Sequence, residues 1–174
     1  MIGQLSSEKR QDILIKSVAN SLYKDSIRII FAGDGPKKRS RQKFEALLPN
    51  PTIIRFFRQE DLQKVISYCD LYVHTWVIES KSISTIETIC SGLVPVIADS
   101  SRSAASQFAL NPKNLFPKND TPCLQNRIDY WIEHPQKRKE MERLYAQYSK
   151  NFFLRKICEK VKFMFHQVYE EAYG

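Results

Sequence analysis

The sequence predicts an α/β fold in which a parallel sheet carries helices on both faces. Short apolar, β-branched runs alternate with longer segments whose apolar residues recur at helical spacing. A glycine-rich turn, Gly33-Asp34-Gly35-Pro36, ends the first clear strand. The chain has 174 residues, of which 43% are hydrophobic, and this is enough to bury one sizeable core.

The predicted elements alternate between strand and helix, and the chain then continues with helices alone. The predicted strands are residues 27–32, 52–57, 71–74, 94–98 and 114–116. The predicted helices are residues 7–22, 37–48, 61–69, a segment ending near 91–92, then 121–133, 136–148 and 152–172. Only residues 1–5 remain for a strand before the first helix. We therefore expect the chain to begin inside or just before a strand, as a fragment of a longer protein would.

Composition excludes several classes of protein and leaves the role of the charge open. The longest apolar run is far shorter than the roughly 20 residues that a membrane-spanning helix needs, and the first residues do not resemble a signal peptide. Four cysteines stand singly, which argues against a disulfide framework and a zinc site and suits a reducing compartment. The net charge of +8 is compatible with nucleic acid, a membrane surface or a phosphate-bearing ligand.

Two carboxylates mark the most informative segment, which follows the strand ending at His74. Glu79 and Glu87 flank a polar loop that becomes a helix. In an open parallel sheet, ligands bind beyond the carboxyl ends of the strands, and a helix start offers free N–H groups to a phosphate or a sugar. Glu87, just inside the helix, is placed to accept hydrogen bonds from a diol, while Glu79 would lie across the ligand.

Each of these residues also has a simpler interpretation. Ser84-x-x-Glu87 has the spacing of a capping box, so Glu87 would then only cap its helix. Lys9 alone is typical of a surface lysine, and His74 is more typical of a hydrogen-bonded, semi-buried histidine than of a catalyst. The basic run at residues 37–43 is either a solvated helix face or a patch for acidic lipid or nucleic acid.

Taken together, the motifs resemble the C-terminal, donor-binding lobe of retaining glycosyltransferases with the two-lobed GT-B fold, in the large glycogen-synthase-like family. The resemblance implies a Rossmann-like lobe. The E-x7-E spacing from Glu79 to Glu87, followed by Ser-Gly-x-x-Pro-Val-Ile-Ala, is its most specific part. The other matching segments are residues 3–9, 31–36 and 69–74. We divide the chain accordingly into the lobe, residues 1–150, and a C-terminal helix, residues 151–174, that packs toward an N-terminal lobe absent from this chain.

The resemblance implies a role for each matching position. It assigns the donor diphosphate to Lys9, the donor sugar to Glu79 as the catalytic-site glutamate, and the ribose hydroxyls to Glu87. The remaining donor-binding positions are Gly33 and Arg58 near the nucleobase, and the backbone amides of Lys81, Ser82 and Ile83 at the sugar and phosphate. Positioned cations and helix-start amides stabilise a leaving diphosphate, so no metal or other cofactor is expected.

Three departures from the family pattern matter. Gln4 stands where a phosphate-binding arginine is usual, so Lys9 lacks its usual partner. Side chains at Ser80-Lys81-Ser82 replace a glycine-rich loop, where Lys81 offers additional charge. The stretch at residues 100–110 looks like that of a subset that glucosylates lipids, including bacterial diacylglycerol and cholesterol glucosyltransferases.

The sequence therefore predicts a hexosyltransferase lobe that takes UDP-glucose or a similar nucleotide-sugar donor. The expected acceptor is a lipid or a glycan, and the expected location is cytoplasmic, with peripheral contact at the inner membrane face. The lobe alone is expected to be inactive, and nucleic acid is not an expected partner. Two alternatives remain: a basic module that binds nucleic acid, and a catalytically silent lobe that still binds a nucleotide sugar.

Overall fold

Every strand pairing in the described part of the chain is parallel, as the alternation of strands and helices predicts. The computed structural model describes residues 1–35 and 46–173. β1 pairs with β2, and β4 lies between β3 and β5. The strands are β1 (Ile30–Ala32), β2 (Ile53–Arg55), β3 (Leu71–His74), β4 (Val94–Asp99) and β5 (Leu115–Pro117).

Helices lie on both sides of the strands, and most of them begin and end close to the predicted positions. The helices are α1 (Gln11–Ala19), α2 (Gln59–Ser67), α3 (Ile83–Cys90), α4 (Thr121–Glu133), α5 (Pro135–Tyr148) and α6 (Leu154–Tyr173). Most of the predicted helix at 37–48 lies outside the described residues, as does the basic run within it.

The first residues of the chain accompany β1. Ile2 forms a parallel bridge with Ala32, and the Gly3 amide donates to the Ala32 carbonyl at 3.0 Å. This arrangement brings two backbones into contact, because a Cβ added to Gly33 would lie 2.1 Å from the Gly3 carbonyl oxygen. The glycine after β1 is therefore required by close packing. Residues 1–3 pair with β1 through one isolated bridge and form no strand of their own, so the expected strand before the first helix stays a prediction.

The core is centred on β4, whose residues from Val94 to Ala98 are all buried. A strand buried on both faces is typical of a parallel sheet covered by helices. The larger apolar cluster joins this strand to Leu5, to α1 and to the aromatic side chains Trp131 and Tyr145. Exposed Asp99 ends β4 at the sheet edge where the predicted site lies.

The turn from α3 into β4 is stabilised by Gly92, whose φ of +83° suits glycine. The Leu93 amide donates to the Thr88 carbonyl at 3.1 Å, and the Gly92 amide donates to the Ile89 carbonyl at 3.0 Å. This pair of bonds is a Schellman motif, which satisfies carbonyls at the end of a helix. It fixes where α3 ends and hence the angle at which β4 enters the core.

The C-terminal helix differs from the rest of the chain, because the side chains described on α6, residues 155–172, are all exposed. Its apolar members include Phe163, Phe165 and Val168. The packing of residues 151–174 against another lobe stays a prediction. No helix within residues 1–35 and 46–173 is both long enough and apolar enough to cross a membrane.

A cavity of about 460 Å³ opens between β1 and β3, lined in part by residues 27–30 and 69–71. Residues 27–29 precede β1 and residues 69–70 precede β3, so most of this lining comes before the two strands begin. The cavity therefore lies at the amino ends of the strands, away from the edge where Glu79 and Glu87 lie.

Candidate functional site

Two side chains predicted to act on the same ligand meet at the carboxyl end of β3. The Lys9 ammonium lies 3.6 Å from the Glu79 carboxylate, and these side chains are 25% and 20% exposed. Lys9 comes from the loop before α1, and Glu79 comes from the loop after β3. The fold thus brings a cation and a carboxylate together at the sheet edge where ligands bind in such folds.

Glu79 is fixed by several donors. The Trp76 indole N–H donates to its Oε2 at 2.8 Å, and the Lys81 amide donates to its Oε1 at 3.3 Å. Burial alone would raise the pKa of the Glu79 carboxyl. Hydrogen bonds from the indole and from the loop amides, together with the Lys9 charge, outweigh burial and lower this pKa to about 2. Glu79 is therefore ionised at neutral pH and accepts hydrogen bonds only.

Two consecutive residues hold Lys9: Thr75 binds its main chain, and Trp76 contacts its side chain. The Thr75 hydroxyl donates to the Lys9 carbonyl at 2.6 Å. The Lys9 ammonium lies 4.0 Å from the centre of the Trp76 ring, within the range of a cation–π interaction. The end of β3 therefore places the lysine, although the two segments are distant in sequence.

The capping-box interpretation of Glu87 is wrong. The α3 helix begins at Ile83, and its N-cap is Ser82, so Ser84 already lies inside the first turn. The Ser84 hydroxyl contacts the Tyr72 hydroxyl at 3.0 Å, which is a tertiary contact and not a cap. Ser82 has a left-handed backbone, with φ of 51°, and this conformation enters the helix two residues earlier than the spacing suggested.

With no cap to make, Glu87 is directed toward the start of another helix. It is half-buried, and its Oε1 accepts a hydrogen bond from Gln59 Nε2 at 2.9 Å. Gln59 is the first residue of α2, and exposed Arg58 is the N-cap of that helix. The structure thus brings the predicted ribose-binding and nucleobase-proximal positions, Glu87 and Arg58, to one corner.

Tyr72 is buried beside the site, and the charges of both carboxylates act on it. Burial raises the pKa of its hydroxyl strongly, and the negative charges of Glu79 and Glu87 add to that rise. The hydroxyl therefore stays protonated, and it contacts the Ser84 hydroxyl. It belongs to the floor of the site, because the residue is 1% exposed.

The remaining predicted positions lie along the same edge and differ in how deeply they are buried. Gly33 packs against the Gly3 backbone, which itself lies beside Lys9 and Trp76. Gln4 is exposed, and its carbonyl accepts from the Gln11 side chain at 3.0 Å. The loop positions differ from one another: Lys81 and Ile83 are exposed, whereas Ser82 is buried and its hydroxyl contacts that of Thr85 at 2.7 Å.

His74 departs from its predicted environment. It is fully buried instead of semi-buried, and neither ring nitrogen has a hydrogen-bond partner within residues 1–35 and 46–173. Burial lowers the pKa of His74 to about 3, and the Lys9 charge acts in the same direction. The ring is neutral at physiological pH and packs against Trp76, with 3.6 Å between ring centres.

The predicted donor-binding positions did not include Tyr72, Thr75 or Trp76, although Thr75 and Trp76 follow a predicted strand at its carboxyl end. Trp76 stands three residues before Glu79 at the end of a predicted strand, and that spacing was the available signal. The partnership with Lys9 depends on the tertiary fold. Within residues 1–35 and 46–173, no three His, Cys, Asp or Glu side chains are grouped so that they could hold a metal ion.

This geometry suits a ligand with an anionic part and a hydroxyl-bearing part. A partly exposed ammonium beside a helix start favours phosphate oxygens. A carboxylate that is ionised at neutral pH, as Glu79 is, favours hydroxyl donors, and Glu87 offers a second carboxylate farther along the edge.

Comparisons with known proteins agree with this chemistry. Residues 1–147 match the family model described as glycosyl transferases group 1. The catalytic domain of cholesterol-alpha-glucosyltransferase from Helicobacter pylori is 38% identical, with a TM-score of 0.83 over 87% of this chain and 96% of that chain. A comparison with curated proteins gives no match.

Two further solved structures share the fold. HepE from Anabaena, solved with UDP-glucose, is 24% identical, with a TM-score of 0.76 over 92% of this chain and 48% of that chain. The pneumococcal O-GlcNAc transferase GtfA, solved with UDP and GlcNAc, is 19% identical, with a TM-score of 0.79 over 96% of this chain and 35% of that chain. This chain therefore spans less than half of those two proteins. It belongs to the glycosyl transferases group 1 family and has the Rossmann-like fold of the C-terminal lobe of a GT-B enzyme.

Proposed function

We propose that this lobe binds a nucleotide-diphosphate sugar, with UDP-glucose as the leading candidate, and forms the donor half of a retaining hexosyltransferase. The observation that carries the proposal is the Lys9–Glu79 pair, which places a cation and an ionised carboxylate 3.6 Å apart at the carboxyl edge of the strands. A nucleotide sugar presents phosphate oxygens and sugar hydroxyls at a similarly short separation.

The proposed roles follow from the environment of each residue. Lys9 binds the diphosphate and stabilises the charge that develops on it when the sugar–phosphate bond breaks. Glu79 accepts hydrogen bonds from sugar hydroxyls, and Glu87 accepts them from the ribose. The backbone N–H groups at the start of α3 donate to the phosphate oxygens of the donor.

We propose that the leaving diphosphate is stabilised by these groups and not by a divalent cation. Lys9 and the helix start supply positive charge where the phosphate would lie. Donor binding measured in EDTA and in Mg²⁺ tests this point. Equal affinities support it, and a requirement for Mg²⁺ would contradict it.

The acceptor in the full-length enzyme is proposed to be a lipid, with a glycan as the alternative. Support comes from the 38% identity to a cholesterol-alpha-glucosyltransferase domain. A lipid acceptor would bring the enzyme to the inner face of a membrane as a peripheral protein. Transfer requires an N-terminal lobe, so this part of the proposal is tested by glucosyl transfer from UDP-glucose to sterol or diacylglycerol with the two lobes together.

Isothermal titration of this chain with UDP and UDP-glucose tests donor binding directly. We expect binding of both below millimolar concentration, with UDP-glucose tighter than UDP. UDP-N-acetylglucosamine and GDP-glucose serve as matched ligands that change only the sugar or only the base. If none of these ligands binds at millimolar concentration, the proposal is refuted. Salt-sensitive binding to DNA or RNA instead would support the nucleic-acid alternative.

A further inference from the structure

Trp76 contacts both members of the Lys9–Glu79 pair, although it is only 2% exposed. Its indole N–H donates to Glu79 Oε2 at 2.8 Å, and its ring lies under the Lys9 ammonium at 4.0 Å. The ammonium approaches that same Oε2 at 3.6 Å. One buried side chain thus holds a cation and an anion by two different interactions.

The separation of the charges is informative. A direct charge-assisted hydrogen bond between an ammonium and a carboxylate is about 2.7–2.9 Å long, and the Lys9–Glu79 separation is longer, at 3.6 Å. The indole N–H satisfies part of the carboxylate, and the ring attracts the ammonium. The two charges therefore lie side by side without forming a short, mutually neutralising pair.

The surroundings of Trp76 keep the indole in place. Fully buried His74 packs against it, with 3.6 Å between ring centres. A Cβ added to Gly3 would lie 3.9 Å from the Trp76 ring and 3.8 Å from the Lys9 side chain, so the Gly3 backbone flanks both. The neighbouring Thr75 hydroxyl fixes the Lys9 carbonyl at 2.6 Å. The indole therefore has little freedom to follow its partners if either of them moves.

We propose that Trp76 is a positioning residue that sets the spacing of Lys9 and Glu79, so that one is available to the diphosphate and the other to the sugar. The proposal rests on the donor-binding function proposed above and extends it to a residue that does not itself reach the ligand. Loss of the N–H releases Glu79, and loss of the ring also releases Lys9. The two interactions can be separated by substitution.

Two variants separate these effects. Trp76→Phe retains an aromatic ring for Lys9 but removes the N–H donor, whereas Trp76→Leu removes both. The matched control is Trp131→Phe, because Trp131 is also buried, at 1% exposed, and its N–H donates to a backbone carbonyl, that of Lys113. Titration with UDP and UDP-glucose then measures the diphosphate and sugar contributions separately.

For Trp76→Phe we expect a UDP affinity within about threefold of the parent. The ratio of UDP-glucose affinity to UDP affinity should fall at least about fivefold, because a hydrogen bond to the charged Glu79 carboxylate is lost. Trp76→Leu should also weaken UDP binding by about fivefold, as the cation–π contact disappears. Trp131→Phe should leave both affinities unchanged. A parent-like ratio of UDP to UDP-glucose affinity in Trp76→Phe would overturn the proposal.

A second measurement on the ligand-free chain keeps the test decisive if a variant folds poorly. In Glu79→Gln, the indole N–H resonance of Trp76 should shift while that of Trp131 stays in place. An unmoved Trp76 resonance would overturn the positioning role. If the parent binds neither UDP nor UDP-glucose, the proposed function fails, and the resonance still decides whether Trp76 is bonded to Glu79.

Discussion

Glu79 and Glu87 belong to one motif but occupy different environments. Glu79 accepts from a buried indole and a backbone amide and lies beside Lys9. Glu87 is half-buried, and its carboxylate accepts from one exposed side chain, that of Gln59. The first carboxylate is held by a buried indole and a backbone amide before any ligand arrives, whereas the second is held by an exposed side chain. The E-x7-E spacing identifies both glutamates without distinguishing these two states.

The difference matches the chemistry proposed for each end of the donor. The reacting sugar–phosphate bond requires groups held in a fixed geometry, because reorganisation during the reaction raises the barrier. The nucleoside end needs affinity only, so a carboxylate with fewer fixed partners is sufficient there. Substitutions at the two ends of the site should therefore differ in the size of their effects and in the property that they change.

The largest expected effect comes from Lys9→Met, which removes the cation and retains the length of the side chain. UDP affinity should fall about 30-fold, since a hydrogen bond to a charged group contributes about 1.5–3 kcal/mol. Calorimetry measures the change, and Lys16→Met on α1 is the control. A loss no greater than that of the control would place the diphosphate away from the Glu79 environment.

The sequence predicted most element boundaries because the signals that set them are local. Residues 121–133 were predicted as a helix, and the structure has α4 there, with the Asp120 side chain accepting from the Cys123 amide at 2.8 Å. An N-cap aspartate followed by Pro122 is a start signal that does not depend on the rest of the fold. Strand β3 was predicted at residues 71–74 for a similar reason, since it is a short apolar run.

The site was predicted less completely, for two physical reasons. Ser82 adopts a left-handed backbone that a non-glycine residue rarely takes, so the start of α3 was not predicted and the capping box stayed open as an alternative. The Trp76 contacts arise only when the loop that carries Lys9 folds against the end of β3. No local spacing encodes a contact between segments so far apart.

The second prediction concerns Glu87. Glu87→Ala should lower UDP affinity about tenfold, by loss of hydrogen bonds between a charged group and the ribose. The melting temperature should stay within about 1 °C, because Glu87 caps no helix and surface substitutions rarely change stability. Calorimetry and thermal unfolding test the two parts, and Gln59→Ala is the control that frees Glu87 without removing it. A parallel loss of affinity and stability in Glu87→Ala would restore a structural role.

The third prediction uses pH to examine Glu79. The pKa of Glu79 is lowered from 4.5 to about 2, so its contribution to stability is complete above about pH 4.5 and is lost as pH falls toward 2. Glu79→Gln should therefore lose less stability than the parent between pH 4.5 and pH 2. Thermal unfolding of the parent and of Glu79→Gln across this window gives the two slopes. Identical slopes for the parent and Glu79→Gln would remove the basis for calling Glu79 preorganised.

The smallest expected effect is a gain in UDP affinity from a second cation placed beside Lys9. Gln4 is exposed and follows Gly3, whose backbone flanks Lys9, so an arginine at this position adds a second cation near the diphosphate. The Gln4 carbonyl bond to Gln11 involves the backbone and survives the substitution. Gln4→Arg should raise UDP affinity about two- to fivefold, in line with about 0.4–1 kcal/mol for an exposed ion pair.

Two measurements test whether the gain in UDP affinity comes from a cation beside Lys9 or from the overall charge of the chain. It should shrink as ionic strength rises from about 0.05 to 0.5 M, because the added charge is exposed and screened. Gln63→Arg adds the same charge on the exposed face of α2 and should leave UDP affinity unchanged. An equal gain from both variants would mean that overall charge, and not the corner beside Lys9, attracts the donor. A gain confined to Gln4→Arg would instead mean that a second cation beside Lys9 contributes to binding at the Glu79 end of the site.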